Sequence, residues 1–172
     1  MTAHTAAAEN GSRVPEFHCA VAHAIVDSMS TPTIAVAEND AAIRRCFPVM
    51  HQLRPHLDEA RYMELATSMV RSGEFKLAYV EANGAVTAVA GFRFMNMLFS
   101  NGKVLYVDDL VTDEKRRSGG HGHALFQWLL QHARENWCVM LTLDSGVQRH
   151  DAHRFYFRER MRIQAHHFSI EL

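Results

Sequence analysis

The chain has 172 residues, a length suited to one domain able to bury its own core. Hydrophobic residues make up 48% and charged residues 22%, ordinary globular values that exclude a disordered, collagenous or coiled-coil chain. Lysine plus arginine is 18 against 19 acidic residues, a formal net charge of -1, so no global field draws in nucleic acid or an anionic membrane, and neither is expected as a partner.

No run of about 18 apolar residues exists to span a membrane. The N-terminus lacks the basic start and apolar stretch of a secretory leader. Cys19, Cys46 and Cys138 are odd in number and far apart, which is neither a disulfide framework nor a zinc pattern. These features read as reduced thiols in a cytoplasmic protein.

Residues 1–32 read as an N-terminal extension, small, polar and partly flexible at first, with apolar residues at helical spacing over 17–31. The domain proper is expected over 33–172. Thr33–Ala37 reads as a first strand. Asp40 is expected to cap a helix through Ile43, Phe47 and Met50, bent at Pro48. Asp58 is expected to cap a second helix that stops at Gly73. Two β-rich runs then flank Asn83-Gly84, a dipeptide suited to a type I′ turn because both central residues need positive φ. Lys103–Thr112 reads as a strand, Gly120–Asn136 as an amphipathic helix, and Val139–Leu143 as a strand. Asp151–Arg160 reads as a short helix. Ile163–Leu172 alternates as a closing edge strand, able to pair between two subunits of a homodimer. Such an order implies one α+β or α/β domain around a central sheet.

The segment from Leu110 to Leu125 carries the most chemistry. A strand ends, a basic glycine-rich loop follows, and a helix begins. Gly119, Gly120 and Gly122 permit close backbone approach and unusual φ. The first N–H groups of the helix make an anion site, with Lys115, Arg116 and Arg117 beside it. These features suit a phosphate or pyrophosphate. No Gly-Lys-Ser/Thr ending is present, so the segment is not a nucleotide P-loop. Nor is it the dinucleotide fingerprint, which follows its strand directly.

Arg117-Ser-Gly-Gly120-His-Gly122 resembles the Arg/Gln-x-x-Gly-x-Gly/Ala signature of the GNAT acetyltransferase superfamily. Asp108-Asp-Leu-Val-Thr112 is similar to the Glu-Asp-x-x-Val run of polyamine-type members, and Ala152-His-Arg-Phe-Tyr156 resembles the family's second motif. The resemblance covers about residues 33 to 172 and implies a mixed central sheet of about six or seven strands, flanked by helices and splayed at its centre. It implies acetyl-CoA as co-substrate. Arg117, Ser118, Gly119, Gly120, His121 and Gly122 would bind the pyrophosphate. Leu110, Val111 and Thr112 would pair with pantetheine, and Tyr156 would lie near the sulfur. The chain departs from the family at Arg149, where Asn is frequent, at Arg160-Met161, where Gly-Phe is frequent, and at Glu114, where proline is usual.

Acetyl transfer to an amine needs a proton taken from the nucleophile and one given to the leaving thiolate. Asp108 and Asp109 lie on adjacent strand positions and so face opposite sides. Asp108 is the first candidate for base or ammonium anchor, and Asp109 the second. Tyr156, with an ordinary phenol pKa of about 10 against about 8.5 for a thiol, is the candidate acid. The histidines show no ligand spacing with Cys or acidic partners, and no metal site is expected. The reading is an N-acetyltransferase acting on a small-molecule amine or amino-acid-like acceptor. The acceptor would lie between the early helices (about 40–72) and the central strands, with Arg61, Tyr62 and Glu81 as loose candidates. The competing readings are a sensor or structural module that binds acetyl-CoA without catalysis, and a nucleotide-binding protein.

Overall fold

The structure is a computed structural model that describes Met1 and residues 31–172. The helix expected over 17–31 lies outside the described residues but for its last position. Five strands form one sheet in the order β1 (Thr33–Val36), β2 (Lys76–Ala82), β3 (Ala85–Met97), β4 (Gly102–Thr112), β5 (Met140–Leu143). The first four run antiparallel in succession, and β5 lies parallel to β4. Helices α1 (Asp40–Leu53) and α2 (Glu59–Arg71) link β1 to β2, α3 (His121–Glu135) carries the crossover to β5, and α4 (His150–Arg158) follows.

Local chemistry accounts for the boundaries. Asn39, not Asp40, caps α1, its side chain accepting from the Ala42 N–H at 2.9 Å. Asp40 is instead the first helical residue, where its charge favours the dipole and meets Arg71. The helix is continuous through Pro48. Asp58 caps α2 as expected, at 2.8 Å from the Arg61 N–H. Asn83 (φ 52) and Gly84 (φ 73) make the β2–β3 turn, both in the left-handed region as a type I′ hairpin requires.

The sheet separates two apolar clusters. On one side α1 and α2 bring Ile43, Met50 and Tyr62 against Leu77, Val89 and Val111. On the other, α3 brings Leu125 and Leu129 against Phe92, Leu105 and Val107. No described helix is long and apolar enough to cross a membrane.

Two features of the sheet bear on function. First, β4 pairs with β5 only from Val104 to Val107 and then continues alone on that side to Thr112. This is the expected splay at the sheet centre. Second, the sheet has five strands among the described residues rather than six or seven. Ile163–Leu172 forms no strand: Phe168 and Ile170 are 89% and 86% exposed. Alternation specifies a half-buried strand only where one face finds apolar cover. Here the segment finds none and is tethered by a polar contact, His167 Nδ1 to Asp144 Oδ2 at 2.9 Å.

Candidate active site

The loop after β4 is a 3-10 turn (Glu114–Arg116) followed by Arg117 to Gly120. Ser118 (φ 66) and Gly120 (φ 80) both adopt left-handed backbone, which turns the chain into α3. No side chain caps α3, and the N–H groups of His121, Gly122 and His123 take no acceptor among the described residues. His121 Nδ1 is buried without a partner in the same turn. Gly122 has a packing reason as well: a Cβ there would lie 2.6 Å from Thr112 Oγ1, so its absence lets the helix start approach the end of β4.

The two aspartates owe their placement to a β-bulge. Gly91 pairs with Asp109 but Phe92 pairs with Val107, leaving Asp108 as the extra residue. Asp108 and Asp109 line separate cavities, Asp108 the cleft beside β5 and Asp109 the pocket under α1 and α2. Both oxygens of Asp108 are engaged by Arg93, with Nε at 2.9 Å and Nη2 at 2.6 Å. Asp109 uses only Oδ1, which accepts from Arg54 Nε at 2.8 Å and meets Nη2 at 2.7 Å. Burial raises the Asp109 pKa, and Arg54 opposes the rise without cancelling it. Gly91 makes room for this arrangement. A Cβ there would come within 2.5 Å of the Phe75 ring and 3.0 Å of Asp109 Oδ2.

The cleft on the β5 side has a volume of about 120 Å³. Leu110 and Asp108 of β4, Arg54 just past the end of α1, Arg149 just before α4, and Tyr156 of α4 line it. Burial raises the Tyr156 pKa, with Arg149 acting the other way, so the phenol holds its proton at neutral pH. Its hydroxyl takes no partner among the described residues. Ser145 Oγ, buried on the same wall, has none either. Asp144 is held by the Tyr106 hydroxyl at 2.7 Å.

Leu110 of the strand end and Tyr156 of the second motif therefore share one cleft, with Asp108 beside them. Val111 points the other way, into the α1–α2 core. Of the loose acceptor candidates, Arg61 pairs with Glu64 on the surface and Glu81 pairs with Arg45. Tyr62 alone lines a pocket, with its hydroxyl donated to Ile43 O at 3.0 Å. Sequence reasoning missed Arg54, Arg93 and Gly91. A glycine inside a strand pattern was the one available signal, since it often marks a bulge or close approach.

A splayed β4–β5 pair, an uncapped helix start facing the strand end, and a motif tyrosine in the cleft define the architecture of an acetyltransferase. The model of the acetyltransferase (GNAT) family matches residues 37–161, and the chain belongs to that family. YhdJ, an uncharacterised N-acetyltransferase of Bacillus subtilis (strain 168), is 34% identical over 110 residues, 64% of this chain and 77% of that protein. The fold is shared with the aminoglycoside N-acetyltransferase AAC(6')-Iy solved with CoA, at TM-score 0.72 and 9% identity over 83% of this chain and 95% of that one. It is shared equally with a putative acetyltransferase from Agrobacterium tumefaciens str. C58, at TM-score 0.71 and 18% identity over 81% and 99%. Family membership supports acyltransferase activity for this chain.

Proposed function

We propose that the protein is an acetyl-CoA-dependent N-acetyltransferase that acetylates a small-molecule amine by direct attack in a ternary complex. The observation that carries this reading is that the β4 edge left unpaired by β5 beyond Val107 shares a cleft with the Tyr156 hydroxyl, while the same strand ends at Thr112 against the free N–H groups opening α3. Acetyl-CoA, when bound, supplies the acetyl thioester.

The loop from Arg117 to Gly122 would hold the pyrophosphate, through backbone N–H groups strengthened by the helix dipole. Leu110, Val111 and Thr112 offer backbone groups along the strand edge, in the manner of an added strand. Tyr156 would give its proton to the sulfur as charge develops there. Asp109 and Asp108 are the carboxylates available to take a proton from the acceptor, directly or through water. Their geometry supports the opposite order from the one expected from sequence. Asp109 keeps an oxygen free and its raised pKa makes it the stronger base, whereas Asp108 is held at both oxygens.

Calorimetric titration with acetyl-CoA, with ATP as the control, tests the reading first. Micromolar binding of acetyl-CoA and none of ATP is the expected result, and thiol release across an amine panel follows. ATP binding without acetyl-CoA binding would return the loop to a nucleotide site. Binding of acetyl-CoA with no turnover of any amine would favour the sensor reading.

A further inference from the structure

We propose that the acceptor is an α-amino acid with an apolar side chain, an inference that rests on the acetyltransferase reading above. Between α1, α2 and the sheet lies a pocket of about 110 Å³, walled by Met50, Leu57, Leu65, Met69 and Phe75. An apolar cavity of about 150 Å³ holds a benzene ring. The smaller volume here suits an isobutyl or thioether side chain.

The pocket carries one charge of each sign, on Arg54 and Asp109. They are paired, yet neither is saturated. Arg54 uses Nε and Nη2, leaving Nη1 without an acceptor among the described residues. Asp109 accepts at Oδ1 only, leaving Oδ2 without a donor among them. Arg54 also lines the neighbouring cleft that holds Tyr156, so its guanidinium borders both cavities while Asp109 lines the apolar one. A zwitterion matches this arrangement. Its carboxylate adds to the guanidinium, its ammonium adds to Oδ2, and neither has to break the existing ion pair.

The reaction balances with acetyl-CoA as the only co-reactant. The ammonium loses a proton to Asp109 or water, and the neutral nitrogen attacks the thioester carbonyl. The N–C bond forms, the nitrogen gives up its second proton to water as the C–S bond breaks, and the thiolate takes a proton from Tyr156, which water restores, so one proton is released overall. An amine without a carboxylate leaves Arg54 unmatched. A polar side chain would sit among Met50, Leu65, Met69 and Phe75, with Arg54 and Asp109 already engaged by the carboxylate and ammonium.

The test is thiol release with acetyl-CoA, comparing L-leucine and L-methionine with isoamylamine and L-serine. Isoamylamine is leucine without its carboxyl group. The expected kcat/KM for leucine and methionine is at least roughly tenfold above both others, in line with the loss of a charged hydrogen bond. Arg54→Gln should erase the preference for leucine over isoamylamine. Ala66→Leu, which fills the pocket, should cut leucine turnover while acetyl-CoA binding by calorimetry is unchanged. Equal use of leucine and isoamylamine would overturn the proposal, as would an Arg54→Gln variant that slows both alike. If acetyl-CoA binds and none of these amino acids is acetylated, the proposal falls and the acetyltransferase reading stands. If acetyl-CoA does not bind, both fall.

Discussion

Asp108 and Asp109 are adjacent, chemically identical and half-buried or better, yet they occupy different electrostatic worlds. The bulge sends Asp108 to the cleft beside β5, where Arg93 holds both its oxygens. Asp109 goes under α1 and α2 among apolar side chains, with one oxygen on Arg54 and the other free. A fully paired carboxylate on a sheet is a fastener for the strands it joins. A buried carboxylate with a free oxygen and a raised pKa is costly to keep and more reactive, the combination that active sites use. The difference is made by one extra residue in β4, not by residue type.

The largest effect should come from Asp109→Asn. If Asp109 takes the proton, kcat should fall by about a hundredfold or more, within the usual range for a general base. Stability should not fall with it. Because burial raises the folded pKa of Asp109, its contribution to stability is greatest below the ordinary carboxylate pKa and is lost as pH rises through the raised value. The melting temperature of Asp109→Asn should therefore match or exceed wild type at pH 7, and the gap should narrow on acidification. The same shift places the acid limb of the wild-type kcat/KM profile above the ordinary carboxylate range. Thermal melts and initial rates at a series of pH values check both. A variant that loses stability and keeps turnover would make Asp109 the fastener instead.

Tyr156→Phe tests the cleft side of the comparison. Turnover should drop at least roughly tenfold if the phenol protonates the leaving sulfur, while acetyl-CoA affinity by calorimetry stays the same. Unchanged turnover would make Tyr156 a packing residue of α4.

How much of this was legible in the sequence follows from how far apart the interacting residues lie. The Asn83-Gly84 turn, the Asp58 cap and the glycine loop are local, and each was readable from a few neighbouring residues. The apolar stripe of α3 was readable from period alone. Arg54 meets Asp109 across 55 positions and Arg93 meets Asp108 across 15. Both pairings depend on strand register and on a bulge that no hydrophobic pattern encodes. Ile163–Leu172 erred the other way: its alternation was real, but a strand also needs a partner and a covered face. The family resemblance, not periodicity, carried the chemistry.

Asp108→Asn should give the smallest of these effects and a different signature. It removes the acceptor charge from Arg93, whose side chain is 36% exposed against 19% for Asp108. Solvent screens such a pair, so its loss should cost only about 1 kcal/mol. For a chain of this size that lowers the melting temperature by about 2–4 °C. Arg93→Ala should do the same. If the pair acts as one fastener, the double variant should be no less stable than either single one, because each single change already breaks the contact. Turnover in Asp108→Asn should fall less than tenfold. A loss as deep as that of Asp109→Asn would restore Asp108 to first place as the base. It would also mean that Arg93 positions a reactive group rather than tying β3 to the bulge of β4.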